Sequence, residues 1–174
     1  MADIALENRL RDKIEAGAEC ILLLAHKLIR TPSTSPPGNV SAVALVAADQ
    51  IRQLIPKGDI STIETGPGII NAVADAAESD SFFCDHFDTY PTGEIRRWTL
   101  DPFSGELSSH GKHVYGRGVP DMKGGIAASI IAAQALSSCK VGWSGEVVIA
   151  LAGDEETMGK LGSAHLIKHV AEVG

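Results

Sequence analysis

Cysteine, aromatic residues, basic surplus and long apolar runs are all scarce in this 174-residue chain, and each scarcity excludes something. Three cysteines, Cys20, Cys84 and Cys139, are too few and too widely spaced for a disulfide framework or a Cys-x-x-Cys metal site. They read as reduced thiols of a cytoplasmic protein. Fifteen Lys and Arg against twenty-two Asp and Glu leave a formal charge of −7 with no basic stripe, so nucleic acid is not an expected partner. The apolar runs 20–25 and 147–152 are too short to span a bilayer, and residues 1–11 lack the apolar region of a signal peptide. A membrane is therefore not expected either. Internal repeats and low-complexity tracts are absent.

What remains is a chain that is 44% apolar, a globular composition, and of a length that suits one domain over residues 1–174. Apolar residues at helical spacing predict a helix over 6–29, broken near Gly17, and another over 39–54. Between them Thr31-Pro-Ser-Thr-Ser-Pro-Pro-Gly38 is a stiff polar connector, because its three prolines remove donors and disfavour helix. Short β-like runs follow at 60–64, 69–74 and 81–85, with a hairpin arm at 112–115. A small-residue helix is expected over 122–136, a buried strand over 145–152 and a last helix over 162–170. Strands alternating with helices predict an α/β fold with a layered sheet.

Three clusters carry chemistry. In Asp85-His-Phe-Asp88, residues two apart on a strand face the same way, so His86 and Asp88 project together from its carboxyl end. In Tyr115-Gly-Arg-Gly-Val-Pro-Asp-Met-Lys-Gly-Gly125, Asp121 precedes two glycines where a helix should begin. Glycine there costs about 1 kcal/mol relative to alanine, which points to a close approach of the backbone. In Gly153-Asp-Glu-Glu156, three successive carboxylates follow a buried strand, where functional groups of α/β sheets gather. Each cluster alone also has an ordinary reading: a strand-end turn, a helix N-cap, an acidic surface loop. Together, His, Asp and Glu donors match the chemistry of hydrolytic zinc sites, and a carboxylate left beside a ligand can act as a general base.

The order and spacing of His86-x-Asp88, Trp98-Thr-Leu-Asp-Pro-Phe-Ser-Gly105, the Asp121 segment and Gly153-Asp-Glu-Glu-Thr157 resemble one family. It is the aminoacylase, acetylornithine deacetylase, succinyl-diaminopimelate desuccinylase and glutamate carboxypeptidase family of di-zinc metallohydrolases. Thr31 to Asn39 is similar to it too. The resemblance implies a three-layer α/β/α zinc-peptidase-like domain around a central mixed, largely parallel sheet. It implies two Zn2+ ions, with Co2+ or Mn2+ as alternatives, and hydrolysis of an amide bond in a small N-acyl amino acid or peptide. By the same resemblance His86 binds one zinc, Asp88 orients it, Asp121 bridges both, Glu156 binds the second, and Glu155 is the general base.

The family pattern also places a further acidic ligand, a late histidine ligand and a lid domain used for homodimer formation beyond Gly174. On that basis the chain is expected to be a partial catalytic domain without its lid. The alternative expectation is a non-catalytic remnant that keeps the fold and binds metal weakly. Asp85 stands where the family has glycine, putting an extra carboxylate beside the site, and Pro120 before Asp121 is unusual. Other motifs are weaker. His165 and His169 share a helical face but lack the glutamate of a zinc-protease helix, and His26, His110 and His113 are expected at surfaces. Residues 153–160 have the wrong spacing for a phosphate loop, and Gly116-Arg-Gly118 lacks the third glycine of a dinucleotide site.

Overall fold

In the computed structural model, which describes residues 4–56, 59–75, 81–111, 113–139 and 147–173, five helices pack on a four-stranded sheet. The helices are α1 (Ile4–Ala16), α2 (Ala18–Ile29), α3 (Ser41–Leu54), α4 (Gly124–Ser138) and α5 (Ser163–Val173). The strands are β1 (Asp59–Gly66), β2 (Ile69–Asp75), β3 (Ser81–His86) and β4 (Val147–Ala152), in the spatial order β1-β2-β4-β3. The sheet is mixed. Its parallel part is the β3–β4 pair, while β2 pairs antiparallel with both β1 and β4. Lys112 of the expected hairpin arm lies outside the described residues, as do residues 145 and 146 of the expected strand; Val114 forms an isolated bridge with Leu107.

The three layers follow from strand periodicity. β4 is buried along its whole length, and its side chains alternate between the two faces. Val147, Ile149 and Leu151 join the larger core with Leu24, Leu28 and Ile29 of α2, Val43 and Ile51 of α3, and Ile126 and Ile130 of α4. Val148, Ala150 and Ala152 face the other way and meet Val73 and Leu166 of α5. Ile149 is 1% exposed, so truncating it to alanine would cost about 2–5 kcal/mol through lost burial and a cavity. α1 buries no residue fully, and Gly17 separates it from α2. A Cβ on Gly17 would stand 3.0 Å from Ile131 of α4. Among the described residues, no helix is long and apolar enough to cross a membrane.

Parallel pairing of β3 and β4 brings their carboxyl ends to one edge, with His86 opposite Ala152. The polar connector braces that edge. Ser35 N–H donates to Thr89 O (2.9 Å), Thr89 N–H to Ser33 O (3.0 Å), and the buried Ser33 hydroxyl to Phe87 O (2.8 Å). A run that reads as a linker is in fact a short parallel rung that fixes residues 87–89.

Candidate metal centre

His86 ends β3 and is buried. Its Nδ1 lies 2.9 Å from the main-chain oxygen of Asp88. A carbonyl can only accept, so Nδ1 carries a hydrogen and Nε2 is the ring atom available to a metal. Nε2 faces Asp121 Oδ1 at 3.1 Å and Glu155 Oε2 at 3.7 Å. Burial works against a charged ring. The hydrogen bonds to Asp88 and Asp121, with the attraction of Asp88 and Glu155, override it and carry the pKa up to about 9.

Asp88 is fully buried, and its carboxylate does two things. Oδ1 sits 3.3 Å from His86 Nδ1, beside the closer contact made by its own main chain. The same carboxylate accepts the backbone N–H of Glu155 on Oδ1 (3.0 Å) and of Glu156 on Oδ2 (2.9 Å). The β3 end is thereby tied to the loop after β4, a connection that strand geometry alone does not predict.

Asp121 sits in a kinked turn, Val119–Lys123, where it and Met122 depart from helical φ and ψ and share a cis peptide bond. Gly118 enters the turn at φ +78, and a Cβ there would collide with Thr89. A Cβ on Gly124 would stand 2.7 Å from Val119 O, whereas at Gly125 the space is less tight. The expected close approach thus exists, but it closes the Asp121 turn on itself. α4 starts at Gly124 instead of Met122 for that reason. The exposed Asp121 side chain reaches the site from a rigid base.

Lys123, which sequence reasoning passed over, secures that base. It is 0% exposed, and its ammonium donates to Leu28 O (2.8 Å) and Thr31 O (2.7 Å) at the end of α2. Burial pushes its pKa down to about 7. Carbonyls at a helix C-terminus are suitable partners for a cation, because the helix dipole is negative there.

Glu155 and Glu156 lie in a short turn, Glu155–Thr157, that ends at Met158, a left-handed residue (φ 75) and 94% exposed. Glu156 Oε1 accepts the Tyr90 N–H at 2.9 Å. Burial raises the Glu156 pKa, the Tyr90 bond lowers it, and nearby Asp121 raises it again. Glu155 is half exposed, with His86 Nε2 at 3.7 Å as its nearest cation.

The donor chemistry suits zinc, and one distance fits directly. Tetrahedral zinc with bonds near 2.0 Å sets neighbouring donor atoms about 3.3 Å apart, close to what His86 Nε2 and Asp121 Oδ1 present. Among the described residues, no three His, Cys, Asp or Glu side chains already stand as a complete metal-holding group. Glu156 is turned to Tyr90. Asp85 is buried on the other side of β3, beneath the start of α4 near Ser129 and Gly125, with Oδ2 unpartnered and its pKa raised by burial. The expected extra carboxylate beside the site is therefore turned away from it, as strand alternation requires. His26 is half-buried against Gly105 O (3.1 Å), not at the open surface, while His110 and His113 are exposed. His165 and His169 stay on α5, outside the site.

The arrangement has relatives. The chain matches peptidase family M20/M25/M40 over residues 82–173, which contain all five candidate residues. It is 33% identical over 157 residues to the succinyl-diaminopimelate desuccinylase of Methylibium petroleiphilum, covering 84% of this chain and 39% of that protein. The fold is similar to that of human carnosine dipeptidase 1, with a TM-score of 0.74, 20% identity, and coverage of 94% of this chain and 37% of the other. It is also similar to an M20 family metallo-carboxypeptidase from Sulfolobus solfataricus, with a TM-score of 0.64, 20% identity, and coverage of 76% and 30%. The chain spans about two-fifths of the length of the desuccinylase. Since the matched region takes in over half of the chain and carries its three acidic and histidine clusters together, the chain belongs to peptidase family M20/M25/M40.

Proposed function

We propose that this chain carries catalytic groups of a metal-dependent amide hydrolase acting on small N-acyl amino acids or peptides. The observation that supports this reading best is the convergence of His86, Asp88, Asp121, Glu155 and Glu156 at one sheet edge, with His86 Nε2 and Asp121 Oδ1 at a metal-sharing separation. In this reading His86, Asp121 and Glu156 are the residues that would hold two zinc ions. Cobalt or manganese would be accepted by the same mixed donors. Bound metal supplies Lewis-acid polarisation of the amide carbonyl and acidifies a water. The Asp88 main-chain oxygen and carboxylate keep the His86 ring turned so that Nε2 faces Asp121, where it would be available to a metal.

Glu155 is the group free to move a proton. No donor among the described residues engages its carboxylate within hydrogen-bond distance, so it stays available as a base. It takes a proton from the attacking water as the new C–O bond forms. It returns that proton to the amide nitrogen as the C–N bond breaks. The proposed setting is cytoplasmic, with a small-molecule substrate, no nucleic acid or membrane partner, and homodimer formation through a lid domain outside these 174 residues.

The test is zinc titration together with turnover of a panel of N-succinyl and N-acetyl amino acids and dipeptides. Glu155→Ala should keep bound zinc while turnover falls by about 10²–10⁴, the range for loss of a general base. Full turnover in that variant, or a wild-type protein that takes up no zinc, would refute the assignment.

A further inference from the structure

The loop that carries Glu155 and Glu156 is held by a side chain far from it in sequence. Asn71 sits in the middle of β2 and is 0% exposed. Its Oδ1 accepts the Gly153 N–H at 3.0 Å. Its Nδ2 donates to Leu161 O at 3.0 Å and to the Thr65 hydroxyl at 3.0 Å. The amide cannot be flipped, because the Gly153 N–H is a donor and Leu161 O an acceptor. One buried amide therefore grips the loop at its exit from β4 and again at its return.

The sheet explains why that grip is needed. β2 and β4 pair from Ala74–Ile149 to Ala72–Leu151, and the ladder stops there. At Gly153, the backbone N–H is met by the Asn71 side chain in place of a β2 carbonyl. A Cβ on Gly153 would lie 2.5 Å from Ile70 O, so only glycine lets the chain pass this close.

Thr65 completes the clamp. It is the unpaired residue where the β1–β2 register shifts between Glu64 and Gly66. Such a bulge re-aims a side chain, and here it sends the hydroxyl to Leu161 O at 2.6 Å. The Leu161 N–H is taken by Asp154 Oδ2 at 2.8 Å. Asp154 O also accepts the Gly159 N–H at 3.0 Å, so the loop is closed from inside as well.

We propose that Asn71, with Thr65, is a positioning residue for the Glu155–Glu156 turn, holding those two carboxylates in place for metal capture and proton transfer. This rests on the roles proposed above for Glu155 and Glu156. The need is electrostatic: Asp121 and Asp88 repel Glu156, and like charges favour opening the loop. A neutral amide can hold it shut without adding charge. Asn71 touches neither metal nor substrate and acts through the backbone of residues 153–161.

The experiment compares Asn71→Leu, Thr65→Val and Thr65→Ser with a core control, Val148→Ala, which lies on the same sheet face but takes no part in the clamp. Zinc affinity is measured by competition titration, amide exchange at Glu155 and Glu156 by NMR, and stability by denaturant. Asn71→Leu should weaken zinc by about tenfold or more, as loss of outer support for metal ligands does, and speed exchange of both amides. Thr65→Val should do the same more mildly, and Thr65→Ser should restore wild-type values. Val148→Ala should lower stability with affinity within about twofold, the change expected when ligand support is intact. If Asn71→Leu does not fold, Thr65→Val against Thr65→Ser decides. Wild-type zinc affinity and exchange in the Asn71 and Thr65 variants, or equal losses in Val148→Ala, would overturn the clamp. A wild-type protein without zinc affinity would sink the functional reading, while the exchange data would still judge the clamp.

Discussion

The two arms of the site are held in opposite ways. The β3 arm, His86 and Asp88, is buried, and its polar atoms are committed to fixed partners. The facing carboxylates of Asp121 and Glu155 are largely exposed, at 73% and 52% of their side chains. Yet their backbones are anchored, Asp121 through Lys123 and the Glu turn through Asp88 and Asn71. Rigidity here resides in the main chain, and freedom in the carboxylates proposed to meet a cation. A donor set gathered from three segments can then adjust over a short range without unfolding anything.

Breaking the closed arm should cost the most. Asp88→Ala leaves the Glu155 and Glu156 N–H groups without their acceptor, a loss of about 2–4 kcal/mol in denaturant unfolding. Asp121→Ala should stay within about 0.5 kcal/mol, because its side chain is exposed. Equal losses in the two variants would abolish the contrast. Next in size is Lys123→Met, which keeps the aliphatic stem but leaves Thr31 O without its donor and Leu28 O with the Thr31 N–H alone, at about 2 kcal/mol. No change in its unfolding midpoint would remove Lys123 as the anchor of the open arm.

The third effect concerns protons. With the His86 pKa raised to about 9, a metal bound as proposed would have to displace a proton from the ring at neutral pH. Apparent affinity should therefore rise with pH, by about tenfold per unit between pH 6 and 8, in cobalt titrations. A flat profile would show that Asp121 and Asp88 do not charge the ring. The smallest effect is at the turn's exit. Met158→Gly should raise stability by about 1 kcal/mol, because glycine adopts a left-handed φ without a Cβ clash. Unchanged or lower stability would show that the turn depends on its methionine.

Helical periodicity revealed α2 and α3 in the sequence, and Gly17 marked the break between α1 and α2. The continuous apolar run of β4 announced a central strand, although it could not tell that β2 would run antiparallel beside it. Pairing direction depends on contacts between distant segments, which local pattern does not encode. The five candidate residues stand out in the sequence because their types and spacings are unusual. Asn71 and Lys123 were not, because their importance lies in which carbonyls they reach across the fold. One sign was present: an asparagine interrupting Ile69-Ile-Asn-Ala-Val-Ala74 is an awkward residue for a buried strand unless something occupies its amide.

Met158, left-handed and almost wholly exposed at the end of the Glu turn, also gives this site a chemical handle. Thioether oxidation follows solvent access, and Met122 is more shielded, lying over Gly125. Dilute peroxide should convert Met158 to its sulfoxide before Met122. Its oxidation rate then becomes a label-free clock for whatever covers the mouth of the site.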